Sequence, residues 1–485
     1  MRPSILFCAL GLAGNVVAAS AAPSASPKIR QVEHGLLPAV VTQNQAGAQL
    51  SLRGQMDALH VPGVAIAVIH RGRVAWAKGY GVAATGGAAV DARTLFQAGS
   101  VSKPVAAMAA LSLVQDGRVA LDAPVNARLT SWTLPDSADS HDHPVTLRQL
   151  LSHTAGTSVH GFDGYARGAA VPTLQQVLDG QAPANSAPVR VEAPVGVRHR
   201  YSGGGYTVMQ QLLIDVGGQD FPTLLQQRVL APLHMRASSF RQPLPARDLA
   251  HAAQPHDANG APVAGGPHTY PELAAAGLWT NAQDLARYAI ELCAAQAGRG
   301  RVLSAASARA MMTPVRDGYG LGLNIGGASA RKYVYHDGSN AGYKATLVVY
   351  PQGCDGAVVL SNGDQGYQLG LEIVRAVAAA YAWPDFQPIR RTAIAVDIAA
   401  QRRFVGSFAI PELGTFRIRE AQDRLLVELR KDQAYPLIPA SDHAFFLSAQ
   451  DIVIRFDTPG DADQGTLDAD GGHYPFRRVA ADTAP

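Results

Sequence analysis

The sequence predicts a mixed α/β (α+β) protein: antiparallel strands with helices beside them, a long helical stretch in the middle, and a separate antiparallel β domain at the C-terminal end. Three observations carry this expectation. Two apolar runs read as β-hairpins, near residues 64–80 and 345–361. Between them the hydrophobic period is mostly helical. After Trp383-Pro384-Asp385-Phe386-Gln387-Pro388 the pattern changes to short alternating strands. The whole has 485 residues, enough for about three domains.

The elements follow in order. At the N-terminus, Arg2 precedes an apolar run, Ile5 to Val17, and then Ala18-Ala19-Ser20-Ala21. That grammar reads as a secretory signal peptide over residues 1–21 and implies a periplasmic or secreted protein. Cys8 falls early in the run and would leave with it. Val64 to Ile69, the turn His70-Arg71-Gly72-Arg73 and Val74 to Tyr80 make the first hairpin. Val101 to Asp116 is rich in Ala, Met and Leu and stops at Gly117; Pro104 fits because it falls in the first turn. Helices are expected at Thr146–His153, Tyr206–Val216, Phe221–Leu230 and Asn281–Ala294, within an all-helical lobe from about 118 to 300. Tyr319 to Leu323 reads as a strand. Ala345–Tyr350 and Ala357–Ser361 form the second hairpin, and Leu369–Tyr381 an amphipathic helix. This sets one unit at 22–383 and a β domain at 388–485, where Phe416-Arg417-Ile418-Arg419 and Ile454-Arg455-Phe456 alternate apolar with charged.

Composition narrows the function. There are 41 basic and 38 acidic side chains, a formal net charge of +3, which gives no electrostatic case for nucleic acid or an anionic membrane. No later segment is long and apolar enough to span a bilayer. With three Cys, a disulfide-rich scaffold is excluded; Cys293 and Cys354 read first as buried hydrophobes, with pairing left open. His141-Asp142-His143 has no further ligand at a metal-site spacing, and neither a G-x-S-x-G elbow nor a glycine-rich phosphate loop is present.

Three short stretches remain that can carry chemistry. Ser100-Val101-Ser102-Lys103 places a hydroxyl where the chain enters a helix, with an amine one turn along the same face. Tyr201-Ser202-Gly203-Gly204-Gly205 sets a phenol before a triple glycine that opens another helix. His336-Asp337-Gly338-Ser339 precedes the second hairpin, and Gly338 there admits a close backbone approach. Each alone has a plain structural explanation: an N-cap, a glycine turn, a turn between strands.

In this order, S-x-x-K, Tyr-x-x and H-x-G resemble the serine β-lactamase and penicillin-binding-protein superfamily, in its class C-like branch of secreted esterases and D-amino-acid-directed peptidases. Leu150-Leu151-Ser152-His153-Thr154-Ala155-Gly156, Ala276-Gly277-Leu278-Trp279-Thr280, Tyr319-Gly320-Leu321-Gly322-Leu323 and Ser361-Asn362-Gly363-Asp364 are similar to further signatures of that family. The resemblance covers roughly 45–383, and the tail resembles the lipocalin-like β domain of some members. It implies a β-lactamase/transpeptidase-like fold: an antiparallel sheet flanked by helices, with an all-α lobe beside it. It implies Ser100 as acylated nucleophile and Lys103 as proton-sharing cation. Tyr201, as phenolate or through Lys103, becomes general base for acylation and acid for the leaving group; its phenol, at about 10, needs neighbouring positive charge to fall toward neutrality, which Lys103 and His336 are placed to supply. His336 stands at the third-motif lysine, and the Ser100 and Ser339 amides form the oxyanion hole with Gly338 beside them. His153 is assigned a structural role, tying loop backbone. No metal or cofactor is implied.

Two positions depart from the family pattern. Gly203 replaces the Asn of Y-x-N, which removes an amide partner for substrate. His336 replaces a fixed cation, which disfavours a strict C-terminal carboxypeptidase and favours an esterase, or a peptidase acting elsewhere along its substrate. The expected partner is a small-molecule or peptide substrate. The alternatives are a β-lactamase or penicillin-binding DD-peptidase and, from another class, a non-catalytic secreted binding module.

Overall fold

The computed structural model describes residues 26–43, 50–328, 330–411, 413–430, 433–458, 460, 462–469 and 471–480. The expected signal peptide, with Cys8, lies outside the described residues.

A six-stranded antiparallel sheet forms the frame: β1 Gly63–His70, β2 Arg73–Gly81, β3 Asn324–Gly326, β4 Tyr333–Asn340, β5 Tyr343–Tyr350 and β6 Asp355–Ser361, in the spatial order β2-β1-β6-β5-β4-β3. β1 is apolar from Val64 to Ile69 because both of its faces are covered there. Ala65, Ala67 and Ile69 enter one core and Val64, Ile66 and Val68 the other, the two-residue period of a strand.

Five helices position the site: α1 Ser102–Gln115, α2 Gly203–Gly217, α3 Leu273–Ala276, α4 Ala282–Gln296 and α5 Gly366–Tyr381. α4, capped by Asn281 whose side chain accepts from the Asp284 amide at 2.8 Å, packs on β1, β5 and β6. α5 covers the other face through β5 and β6. The sheet is therefore sandwiched between helices, and the helical lobe proper is narrower than the stretch 118–300. α1 is buried on every side from Ser102 to Leu113, so its apolar residues need no stripe. It stops before Gly117 at φ +68°.

Two expectations are corrected. Tyr319 to Leu323 is not a strand: the chain bends there, and β3 begins at Asn324. Gly322 has φ +92°, and a Cβ on it would lie 2.8 Å from the Ala107 Cβ, so the segment packs as backbone against α1 instead of alternating side chains. Cys293 and Cys354, read first as isolated hydrophobes, form a disulfide from α4 to the β5–β6 turn. A parallel pairing of Val40–Thr42 with Ile389–Arg391 had no signal in the sequence.

Nine antiparallel strands follow: β7 Gly406–Ile410, β8 Gly414–Ala421, β9 Arg424–Arg430, β10 Gln433–Pro436, β11 Ile438–Pro439, β12 Ala444–Phe446, β13 Ile452–Phe456, β14 Gln464–Ala469 and β15 Gly472–Val479. Their order is β10-β9-β8-β7-β15-β14-β13-β12-β11. β10 and β11 are almost continuous in sequence and sit at the two ends of that order, so this one stretch nearly closes the sheet into a barrel. Its core holds Phe404, Phe408, Phe416, Phe445, Phe456 and Phe476.

Candidate active site

Ser100 lies in a single 3₁₀ turn, Gly99–Val101, that runs into α1. The turn is fixed from within. The Ser102 hydroxyl donates to the Gly99 carbonyl at 2.6 Å and accepts the Leu278 amide at 2.9 Å, while the Ala98 amide donates to the Leu278 carbonyl at 2.8 Å. β4 presses on it from the side. A Cβ on Gly338 would overlap the Ala98 carbonyl oxygen, and one on Gly99, at φ +50°, would lie 2.5 Å from the Ser339 nitrogen. Backbone meets backbone here, so glycine is required on both sides, and the Ser100 and Ser339 amides are brought side by side. β3 pairs β4 only at Tyr333 to Tyr335. Beyond that register the outer side of β4 is left for the Ser100 turn.

Lys103 is 2% exposed. Its Nζ is 2.9 Å from Ser100 Oγ and 2.9 Å from the Ala275 carbonyl at the end of α3. Burial lowers its pKa to about 7. Tyr201 precedes the α2 N-cap Ser202, and its hydroxyl hydrogen-bonds with Ser100. Lys103 Nζ stands 5.0 Å from the centre of its ring.

His153 holds Tyr201 from both flanks: its Nδ1 accepts the Ser202 amide at 3.1 Å, and its carbonyl accepts the Arg200 amide at 2.7 Å. The two rings lie 4.3 Å apart. The structural role expected of His153 is thus located.

His336 is buried on β4. Its Nδ1 lies 2.7 Å from the Asp337 carbonyl, which can only accept, so the proton is on Nδ1 and Nε2 accepts from the Tyr319 hydroxyl at 3.2 Å. Burial first, then the Lys103 charge, brings its pKa to about 3. It is therefore a neutral imidazole. The expectation that Lys103 and His336 together draw the Tyr201 phenol toward neutrality is overturned: burial dominates and holds that phenol above its ordinary value.

Gly203 opens α2, and Phe162 and the His160 carbonyl occupy the space beside it. Ser339 is exposed and Gly338 buried, so the strand presents its outer edge to the cleft. The structure thus brings Ser100, Lys103 and Tyr201 into direct contact, sets Gly338 and Ser339 against the nucleophile turn, and holds His336 one tyrosine away.

Sequence reasoning missed the supports. The Tyr206 hydroxyl donates to the Leu151 carbonyl at 2.9 Å, and the Tyr319 hydroxyl donates to His336. The Tyr270 hydroxyl accepts the Ala341 amide at 3.1 Å and donates to the Asp163 carbonyl at 3.2 Å, joining β4 to the helical lobe. Asn340 Nδ2 bridges Gln97 Oε1 at 2.7 Å and the Ala276 carbonyl at 3.1 Å. Tyr206 and Tyr319 sit within or next to quoted motifs, the one available signal; Tyr270 and Gln97 carried none.

The β-lactamase family model matches residues 50–382. The chain belongs to the β-lactamase family. That is a family of serine hydrolases, and the enzyme described here is one of them. Penicillin-binding protein 4 of Amycolatopsis lactamdurans is 29% identical over 330 residues, covering 63% of this chain and 81% of that one. Esterase EstB of Burkholderia gladioli is 37% identical over 102 residues, 21% of this chain and 26% of its own. Among solved structures, the octameric penicillin-binding protein homologue from Pyrococcus abyssi superposes with TM-score 0.58 at 20% identity, covering 88% of this chain and 98% of that one. D-amino acid amidase from Ochrobactrum anthropi SV3 superposes with TM-score 0.56 at 20% identity, covering 68% and 95%. At those identities the superpositions speak for the fold. Among the described residues no helix is long and apolar enough to cross a membrane.

Proposed function

We propose that the enzyme hydrolyses an ester or amide through an acyl-enzyme on Ser100, with water as the final acceptor. The observation that carries this reading is the 2.9 Å contact between Ser100 Oγ and a lysine whose pKa burial brings to about 7. An ordinary lysine, near 10.4, is almost wholly protonated at neutral pH and cannot take a proton. Here burial favours the neutral amine beside the nucleophile.

In acylation, Lys103 takes the Ser100 proton as Oγ bonds to the carbonyl carbon. The carbonyl oxygen gains its charge between the Ser100 and Ser339 amides. When the tetrahedral species collapses, the bond to the leaving atom breaks and Tyr201 supplies the proton. Lys103 returns a proton to Tyr201 and is neutral again. Water then repeats the sequence on the acyl carbon and releases Ser100. Tyr201 stays protonated at rest, so the acid role suits it and the base role falls to Lys103. A neutral His336 offers no fixed charge to a substrate carboxylate, which favours an ester or an internal or amino-terminal amide over a C-terminal carboxypeptidase substrate.

Ser100→Ala is expected to lower p-nitrophenyl acetate hydrolysis by about 10⁴-fold or more at unchanged thermal stability. Incubation with a serine-reactive phosphonate should add one adduct mass to the parent protein and none to the variant. An adduct on both proteins, or hydrolysis that survives the substitution, would contradict the assignment. Removal of the leader at residues 1–21, and hence export, belongs to the same proposal and is read from the N-terminal sequence of the purified protein.

A further inference from the structure

Beside Tyr201 the helical lobe holds a cleft of about 380 Å³, lined on one side by residues 158–163 and on the other by Asn185 to Ala187 and Glu192. We infer that this cleft is a specificity pocket for an uncharged apolar substituent next to the scissile bond, with Phe162 as the residue that sets the preference. The inference rests on the acyl-enzyme reading above and adds what that enzyme selects.

The pocket adjoins the chemistry: the His160 ring centre is 5.0 Å from that of Tyr201. Its wall is zipped onto the start of α2. The Gly203 amide donates to the His160 carbonyl at 3.0 Å, the Gly204 amide to the Val159 carbonyl at 3.0 Å, and the Ser202 hydroxyl to the Ser158 carbonyl at 2.6 Å. Those first-turn donors are used within the protein, so α2 does not offer them to a substrate carboxylate or amide. Holding the loop in this shape puts Val159, a β-branched residue, at φ +61°, a conformation that persists only where the surroundings enforce it.

Phe162 takes the room that a side chain at position 203 would need. A Cβ on Gly203 would lie 3.0 Å from Phe162 Cε2 and 3.1 Å from the His160 carbonyl oxygen. An aromatic edge therefore faces the cleft where a polar side chain from α2 would otherwise emerge. Val159 and Ala187 extend the apolar lining. Neither Lys nor Arg lines the cleft, whereas Asp163 and the Arg200-paired Glu192 stand exposed on it. That charge pattern works against a carboxylate-bearing substituent.

The test is kcat/KM for two ester series in the full-length enzyme. One holds p-nitrophenol as leaving group and varies the acyl part as acetyl, phenylacetyl and succinyl; the other holds acetyl and varies the alcohol from small to benzyl-sized. The aromatic substituent should be preferred to the small one by roughly 10–100-fold in at least one series, and succinyl should be the poorest acyl group. Phe162→Ala should collapse that preference by about tenfold or more, and Phe162→Leu should keep most of it. An aromatic preference that both variants leave intact would overturn the assignment of Phe162, as would succinyl as the best acyl group. If no ester in either series shows Ser100-dependent turnover, the acyl-enzyme reading falls and the pocket falls with it.

Discussion

The interior around Ser100 and the interior of the C-terminal barrel are both well buried, yet they are built to opposite specifications. The barrel core is phenylalanine: Phe456 alone has four other phenylalanine rings within 6.5 Å, at angles that fit edge-to-face or tilted packing. Among the described residues, none of its buried side-chain polar atoms lacks a partner. The Ser100 side encloses Lys103, His153, His336, Tyr206 and Tyr319, and leaves His153 Nε2, His199 Nε2 and both Glu272 oxygens without a partner among the described residues. Glu272 is 0% exposed, and burial raises its pKa to about 7. One interior maximises packing. The other buries a lysine and a histidine, which disfavours their charged forms at a cost in stability.

Three substitutions separate the two interiors. Phe456→Ala removes the hub of the barrel and should cost about 3–5 kcal/mol of that unit's stability, read as an earlier calorimetric transition. Gly338→Ala forces a Cβ onto the Ala98 carbonyl. It should lower kcat/KM by about 10²–10³-fold, the loss expected for one displaced oxyanion donor. Lys103→Met sharpens the comparison because the two interiors predict opposite signs for a deleted core residue. With a folded pKa of about 7 and an unfolded value near 10.4, the unfolded chain binds more protons between those limits. The lysine's penalty to stability is therefore complete below about pH 7 and fades as pH rises toward 10.4. The variant should be inactive and melt higher than the parent at pH 6, with the gain shrinking by pH 10. A variant that melts lower at pH 6 would show that Lys103 is not a strained group.

Much of this was legible in the sequence, and the rest was not for definable reasons. Helix 102–115 and both hairpins follow from local pattern, and Ser100, Lys103 and Tyr201 from motif spacing. Tyr319 to Leu323 misled because glycines that serve close packing on α1 imitate strand alternation. The charge states at the site depend on burial, which no spacing reports; hence the sequence alone counts His336 with Lys103 as a source of positive charge for Tyr201. The Cys293–Cys354 bridge spans 61 residues of sequence, and the Tyr270 strut joins segments that only the fold brings together.

The most direct measurement is the rate of phosphonate labelling of Ser100 as a function of pH, followed by intact mass. The rate should rise through a single ionisation near pH 7, and that rise should be lost in Lys103→Met. A rate that stays low and climbs only near pH 10, as a tyrosine-governed nucleophile requires, would contradict it.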